Sequence, residues 1–253
     1  MANLTLFHEG VHRNVLIEVG GDATAVQTNQ HLIVHGQEAM LLDPGGNLVY
    51  AAVRDAVEQE LRGARLTRIF FSHQDPDVVS SASAWMLNTD AVGLLSALWT
   101  RFIPHFGIED LLMRRIAPIR DEGSTTDLEG SPLLVLPAHF LHSPGNFQVY
   151  DPVSRILYSG DLGASVGTSQ APVTDFDEHV RFMQPFHQRY MSSNKVLRSW
   201  ARMVRTLDIE TIAPQHGAIL RGRPLVERFI SWCEQLQCGL DLLPEFRVPS
   251  VKQ

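Results

Sequence analysis

The stretch Ser72-His73-Gln74-Asp75-Pro76-Asp77-Val78-Val79-Ser80-Ser81 follows directly on the apolar run Ile69-Phe70-Phe71 and sets one imidazole and two carboxylates on alternate residues. An apolar run that stops at a cluster of polar ligands reads as a buried strand delivering groups to its carboxyl end, where α/β proteins usually keep their chemistry. Taken by itself, the motif reads equally well as a helix cap at His73 with Asp75 and Asp77 filling a turn. The surrounding chain decides between the two.

Upstream, residues 4–7, 15–19, 32–35 and 39–42 read as short strands, the last two as a hairpin around Gly36-Gln37. The strand from 39 ends in Asp43-Pro44-Gly45-Gly46, a tight turn that the Asp can anchor through backbone N–H groups. Residues 48–61 carry apolar side chains at 49, 53, 56, 57 and 61, a helical stripe, and 66–71 returns as a strand. The quoted stretch therefore closes a strand-helix-strand unit.

Downstream, 78–87 reads as a helix whose amino end faces the site. Residues 91–95 read as a strand, 96–106 as a helix, 115–119 as a strand and 121–130 as a turn region. A second set of strands follows at 133–136, 147–150 and 155–158, then helices at 177–188 and 194–207, a strand at 210–213 and a closing helix at 224–236. Two strand-rich halves with helices between and after them imply two sheets packed face to face, helices outside, in one domain spanning 1–253.

With 253 residues, 44% hydrophobic and 19% charged, the chain can bury a sizeable core. Its net charge of −7 argues against general nucleic-acid binding, which needs a basic surface to release counterions. No stretch has the roughly 20 apolar residues that span a bilayer, and no basic-then-apolar leader opens the chain, so a cytoplasmic protein is expected. The two cysteines, Cys233 and Cys238, read as core thiols of a late helix rather than a disulfide or metal site.

Four separate strands end in candidate ligands: His73/Asp75/Asp77, His142, Asp161 and His216. One such strand end is common by chance; four in one chain favour a metal site. Two cations held a few ångström apart need about three ligands each and a carboxylate between them to screen their repulsion. Asp161, flanked by Gly160 and Gly163, is the natural bridge.

In order and spacing, Asp43-Pro44-Gly45-Gly46, the His73-x-Asp75-x-Asp77 loop, His142-Ser-Pro-Gly-Asn, Gly160-Asp161 and Pro214-x-His216-Gly217 resemble the motifs of the metallo-β-lactamase superfamily, from about residue 30 to 222. The resemblance implies a four-layer αβ/βα sandwich, an α/β fold, with a dinuclear site at the shared edge of two sheets. Hydrolases of that superfamily usually carry H-x-H-x-D-H. A carboxylate in the second slot is closer to the flavodiiron group, whose loop is H-x-E-x-D-H and whose metal is iron. The residues around Tyr190-Met191 and the helix before Ile212-Ala213-Pro214 also resemble that group, most closely its oxygen-binding diiron proteins without a flavodoxin domain.

Carried over residue by residue, the resemblance implies that one iron takes His73, Asp75 and His142, the other takes Asp77 and His216, and Asp161 bridges. Three imidazoles and three carboxylates suit Fe, with Mn or Zn as alternatives. Val78 stands where the family carries a further His, which implies an open position on the second metal for O2, NO, water or a phosphate oxygen. No flavin is expected on this chain, and a homodimer is implied. Asp43 is expected to brace a ligand loop, His139 to stand behind the ligands or at the surface, and Tyr190 to lie near the metals as a catalytic candidate. His31, His35, His105, His179 and His187 are not expected to be ligands; the last two, on helix faces, could at best line the entrance.

Three functions follow. The first is a diiron protein that binds O2, as a sensor or as a reductase fed by an external electron donor. The second is a metallohydrolase of an ester or phosphodiester, a cyclic nucleotide messenger among them, through a metal-bound water. The third is a receptor whose metal site reports a ligand to a signalling partner.

Overall fold

The computed structural model describes residues 3–19, 26–106 and 113–249. Seven strands form a first sheet in sequence order: β1 (Leu4–Glu9), β2 (His12–Ile17), β3 (Gln30–His35), β4 (Glu38–Leu42), β5 (Arg65–Phe70), β6 (Val92–Ser96) and β7 (Ile116–Ile119). β1 to β4 are antiparallel neighbours and β4 to β7 run parallel. The second sheet has the order β13-β12-β11-β10-β9-β8, from β8 (Ser124–Leu128), β9 (Ser131–Pro137), β10 (Phe147–Asp151), β11 (Ile156–Gly160), β12 (Thr211–Pro214) and β13 (Leu220–Arg221). Its one parallel pair is β11 with β12.

The helices are α1 (Tyr50–Leu61), α2 (Pro76–Val79), α3 (Ala82–Asn88), α4 (Phe176–Tyr190), α5 (Asn194–Val204) and α6 (Arg223–Gln235). Strand alternation assigns the layers. In β3 and β4, Ile33, Met40 and Leu42 face Phe147, Val149 and Tyr158 between the sheets, while Leu32, Val34, Ala39 and Leu41 face α1 and α3. On the far side, Leu157 and Ile212 meet Leu197, Trp200, Phe229 and Ile230 of the later helices. Three apolar layers between four structural ones make the αβ/βα sandwich, and strands covered on both faces read as nearly unbroken apolar runs. Truncating a fully buried Leu41 to Ala would cost about 2–5 kcal/mol.

Three local expectations change. The helix expected over 78–87 is broken into α2 and α3, because Ser80 and Ser81 turn their hydroxyls to the 45–47 turn: Asn47 N–H donates to Ser80 Oγ (3.2 Å) and Ser81 Oγ–H to the Gly45 carbonyl. Serine competes with helix continuation in this way. Over 96–106 only Thr100–Phe106 is helical, as a 3-10 turn with Pro104 inside it. The region 121–130 is not all turn: β-branched Thr125 and Thr126 pair with Leu134 and Leu133, forming β8. Cys233 and Cys238 are free and buried, and burial pushes the Cys238 thiol up to about 11. No helix among the described residues is long and apolar enough to cross a membrane.

Candidate metal centre

The carboxyl ends of β4, β5, β11 and β12 meet the β9–β10 loop along one edge of the sandwich. Asp43, in the left-handed region at φ 49°, ends β4. Its Oδ1 accepts the Ser72 N–H at 2.7 Å, so the turn after β4 fixes the exit of β5. The Ser72 carbonyl accepts the Phe147 N–H (2.9 Å), tying that exit to the second sheet. Ser72 Oγ lies 2.8 Å from His73 Nδ1, which leaves His73 Nε2 directed into the cluster. Asp75 then precedes Pro76 at the start of α2 and Asp77 sits in its first turn, so one short loop delivers two carboxylates.

Asp161 carries one oxygen to each side of the cluster. Its Oδ2 is 3.0 Å from His142 Nε2 and 3.8 Å from His73 Nε2; its Oδ1 is 3.3 Å from His216 Nε2. Asp75 Oδ2 lies 3.4 Å from His142 Nε2 and 3.9 Å from His73 Nε2, on the first side. Asp77 Oδ2 lies 3.3 Å from His216 Nε2, on the second. Ligand atoms held about 2.0–2.2 Å from one ion lie roughly 3 Å or a little more from one another; the four spacings of His142 and His216 match, and His73 Nε2 stands farther out at 3.8 and 3.9 Å. Ligand atoms of His73, His142 and Asp161 all fall within 4.8 Å of each other.

Electrostatics give the same partition. Burial opposes charge on Asp161, yet His73, His142 and His216 together hold its carboxyl well below the usual range. Burial likewise opposes the His142 cation, but Asp161 and Asp75 raise it to about 10; His216, against the same burial, is raised to about 9 chiefly by Asp161. Burial pushes Asp43 up to about 6, with His73 and the Ser72 N–H pulling the other way. His73 Nε2 and Asp161 Oδ1 are buried without a hydrogen-bond partner. Such orphaned atoms are costly unless something occupies the space between them, and a set of three imidazoles and three carboxylates fits a pair of divalent first-row metal ions.

A cavity of about 460 Å³ opens onto the cluster, walled by Val26, Leu48, Val49, Phe186 and Tyr190. Tyr190 stacks on Phe186 (4.7 Å between centroids) with its ring 6.0 Å from that of His142, so it belongs to the cavity wall. His139 bonds the Asp121 carbonyl (2.8 Å) and packs on Phe147, the contacts of a peripheral imidazole. His179 and His187 do not line the entrance. His187 is fully buried behind Asp161, its Nε2 accepting the Gly163 N–H (2.9 Å) and its Nδ1 2.8 Å from the Met183 carbonyl; burial lowers it to about 4. His179 faces a separate small cavity beside Thr168 and Phe182. His31 packs on Tyr158, His35 on His12, and His105 lies in the 3-10 turn.

Sequence reasoning missed three glutamines. Gln74 Nε2 donates to Asp75 Oδ1 (3.2 Å) while its Oε1 accepts Ser143 Oγ–H (2.8 Å). Gln215 Nε2 donates to Asp77 Oδ2 (3.1 Å). The Gln27 carbonyl, on the segment between β2 and β3, lies 2.7 Å from His216 Nδ1. Adjacency to a ligand was a usable signal for the first two; nothing marked Gln27.

The sequence matches the family model described as "ODP family beta lactamase" over residues 26–217. No curated protein matches it. Among solved structures, a peroxy diiron species of the chemotaxis sensor ODP is 40% identical with a TM-score of 0.85, covering 96% of this chain and 98% of that one. The apo state of chemotaxis sensor ODP from T. denticola is 39% identical with a TM-score of 0.83, covering 95% and 97%. The flavodiiron protein from Giardia intestinalis, 14% identical, shares the fold at a TM-score of 0.75, over 88% of this chain and 57% of its own. With most of its length matched by the family model and nearly all of it by relatives of about 40% identity, this chain belongs to the ODP family of beta-lactamase-like proteins.

Proposed function

We propose that this protein holds two iron ions at the sheet edge and binds O2 there, as a sensor or with electrons from a partner protein. The observation that carries the reading is the division of three imidazoles and two carboxylates about Asp161, whose two oxygens face opposite halves. His73, Asp75 and His142 would hold one ion, Asp77 and His216 the other, and Asp161 both. The similar chemotaxis sensor is itself a diiron protein, which supports iron over Mn or Zn. Ferrous iron supplies the electrons and exchangeable coordination that O2 binding needs.

The chain's own residues supply position and surroundings. Gln74 turns Asp75 so that Oδ2 faces the cluster, and Asp43 fixes the loop from behind. Val78 is fully buried in the apolar layer against Val79 and Ala82, so the second half has one side chain fewer than the first. The mainly apolar wall of the cavity favours a small neutral molecule over an ion, because charge is costly to desolvate. Anaerobic reconstitution with Fe(II) followed by O2 is expected to produce a visible charge-transfer band. A featureless spectrum with two irons bound overturns the reading, and turnover of an ester or phosphodiester panel by the iron or zinc form would replace it with hydrolysis.

A further inference from the structure

The two halves of the cluster are held differently. His73 is gripped by Ser72 within its own loop, but the far nitrogen of His216 meets a backbone carbonyl on a distant segment, that of Gln27. Asn29, fully buried on the same segment, spans the loop that carries His216. Its Nδ2 donates to the Pro214 carbonyl (2.8 Å) and to the Gly217 carbonyl (3.0 Å), one on either side of the histidine. Its backbone N–H donates to the Gln215 carbonyl. Its Oδ1 accepts from Gln27 Nε2 (2.6 Å) and Gln170 Nε2 (2.8 Å), and Gln27 Oε1 accepts the Gly217 N–H (2.9 Å). Gly217, at φ +75°, has no room for a side chain, since a Cβ there would run into Ser165.

All four hydrogen-bonding capacities of the Asn29 carboxamide are thus used, two on the His216 loop and two on the side chains of Gln27 and Gln170. Buried amides satisfied in this way are rigid, and such outer partners fix the ring orientation of a ligating histidine. Resting on the two-ion reading above, we infer that Asn29 is a positioning residue for His216, so that loading of the Asp77/His216 half is set from the segment between β2 and β3. The same segment carries Val26 and Thr28 into the cavity wall, which links the shape of the cavity mouth to the half of the cluster with fewer ligands.

The test is a Co(II) titration of metal-free protein, which reads both half-sites through visible absorption and needs no oxygen chemistry. Asn29→Asp keeps the size but faces two carbonyls with an acceptor. It is expected to weaken the second equivalent about 10- to 100-fold while leaving the first unchanged. Gln27→Ala, at a half-buried position, removes one tie to Asn29 and one to Gly217; a smaller loss confined to the second equivalent is expected, and it serves if Asn29→Asp fails to fold. Equal weakening of both equivalents, or an unchanged second one, overturns the inference. If the natural protein takes up only one equivalent, the two-ion reading fails instead. NMR of the metal-free protein then decides: a His216 Nδ1–H protected from exchange in the natural chain and exposed in Gln27→Ala supports the tie, and equal protection refutes it.

Discussion

The two halves of the cluster share a loop and the Asp161 carboxylate but not a construction. Asp75 and Asp77 leave the same turn two residues apart, and Asp161 gives one oxygen to each side, so the difference lies in the imidazoles. His73 and His142 face each other edge to face at 5.0 Å and share Asp75 and Asp161, which makes the first half dense. The second half has His216 alone, and Val78 is packed into the apolar layer. A dense half and a sparse half joined by one carboxylate suit a centre that keeps its metals while leaving room for a ligand on one of them.

The substitution with the largest expected effect abolishes the comparison. Asp161→Asn keeps the shape and removes the charge that both halves share, and breaking a buried ion pair from one side costs about 3–5 kcal/mol. Iron per chain, measured after anaerobic reconstitution and desalting, should fall for both sites together. If one full equivalent survives, Asp161 serves only one half. Next come single histidines. His142→Ala should lose the first equivalent and His216→Ala the second, each by more than the roughly 100-fold that an outer hydrogen-bond partner contributes. A titration in which either variant loses both would show that the halves load as a unit.

Protons compete with metal at the same atoms. The folded values of His142 and His216, about 10 and about 9, stand above the ordinary 6.5, so in the metal-free protein these cations add stability that is complete below pH 6.5 and lost as pH rises toward 9 to 10. Asp161 and Asp75 are shifted down, and their contribution is present above the ordinary carboxylate range and lost on acidification below it. The melting temperature of metal-free protein should therefore fall between pH 6.5 and 10. Loading with Zn(II) at pH 7 should release about two protons per chain, one from each half, as ligands must deprotonate to bind. Calorimetry in two buffers of different ionisation enthalpy measures that number; release of none would mean that both imidazoles are neutral before metal binds.

What was legible in the sequence shares one physical origin. A buried strand that stops at a polar residue announces that residue's position at a sheet edge; the meeting of His73, Asp161 and His216 at one edge was readable for that reason, and Asp43 through its turn, whereas His142 lies in the β9–β10 loop, past the end of its strand. The sandwich was readable because strands covered on both faces lose their polar alternation. Hydrogen-bond partners carry no such mark. Gln27 and Asn29 lie between β2 and β3, in a segment without periodicity, and act through carbonyls that any sequence would have. The depth of His187 was not legible because histidine counts as polar on a helix face, although His179, Met183 and His187 share the inward stripe of α4. The break between α2 and α3 depends on two serine hydroxyls bonding a turn more than 30 residues away, which local propensity does not encode.

The smallest expected effect is the sharpest probe of how independent the halves are. Gln74 holds the outer oxygen of Asp75 and is half exposed, so Gln74→Ala removes one hydrogen bond without opening a core cavity. Asp75 then gains rotational freedom, and the first equivalent of metal should bind about tenfold more weakly, the low end for an outer partner. The second equivalent should be unmoved, because Asp77 is oriented by Gln215 and not by Gln74. Pro76 stands between the two carboxylates with its φ fixed by the ring, and that rigidity is what keeps a disturbance at Asp75 from reaching Asp77. If Gln74→Ala weakens both equivalents, the turn transmits between them and the centre is one unit with an uneven ligand count; if only the first moves, the halves are separate sites that share Asp161.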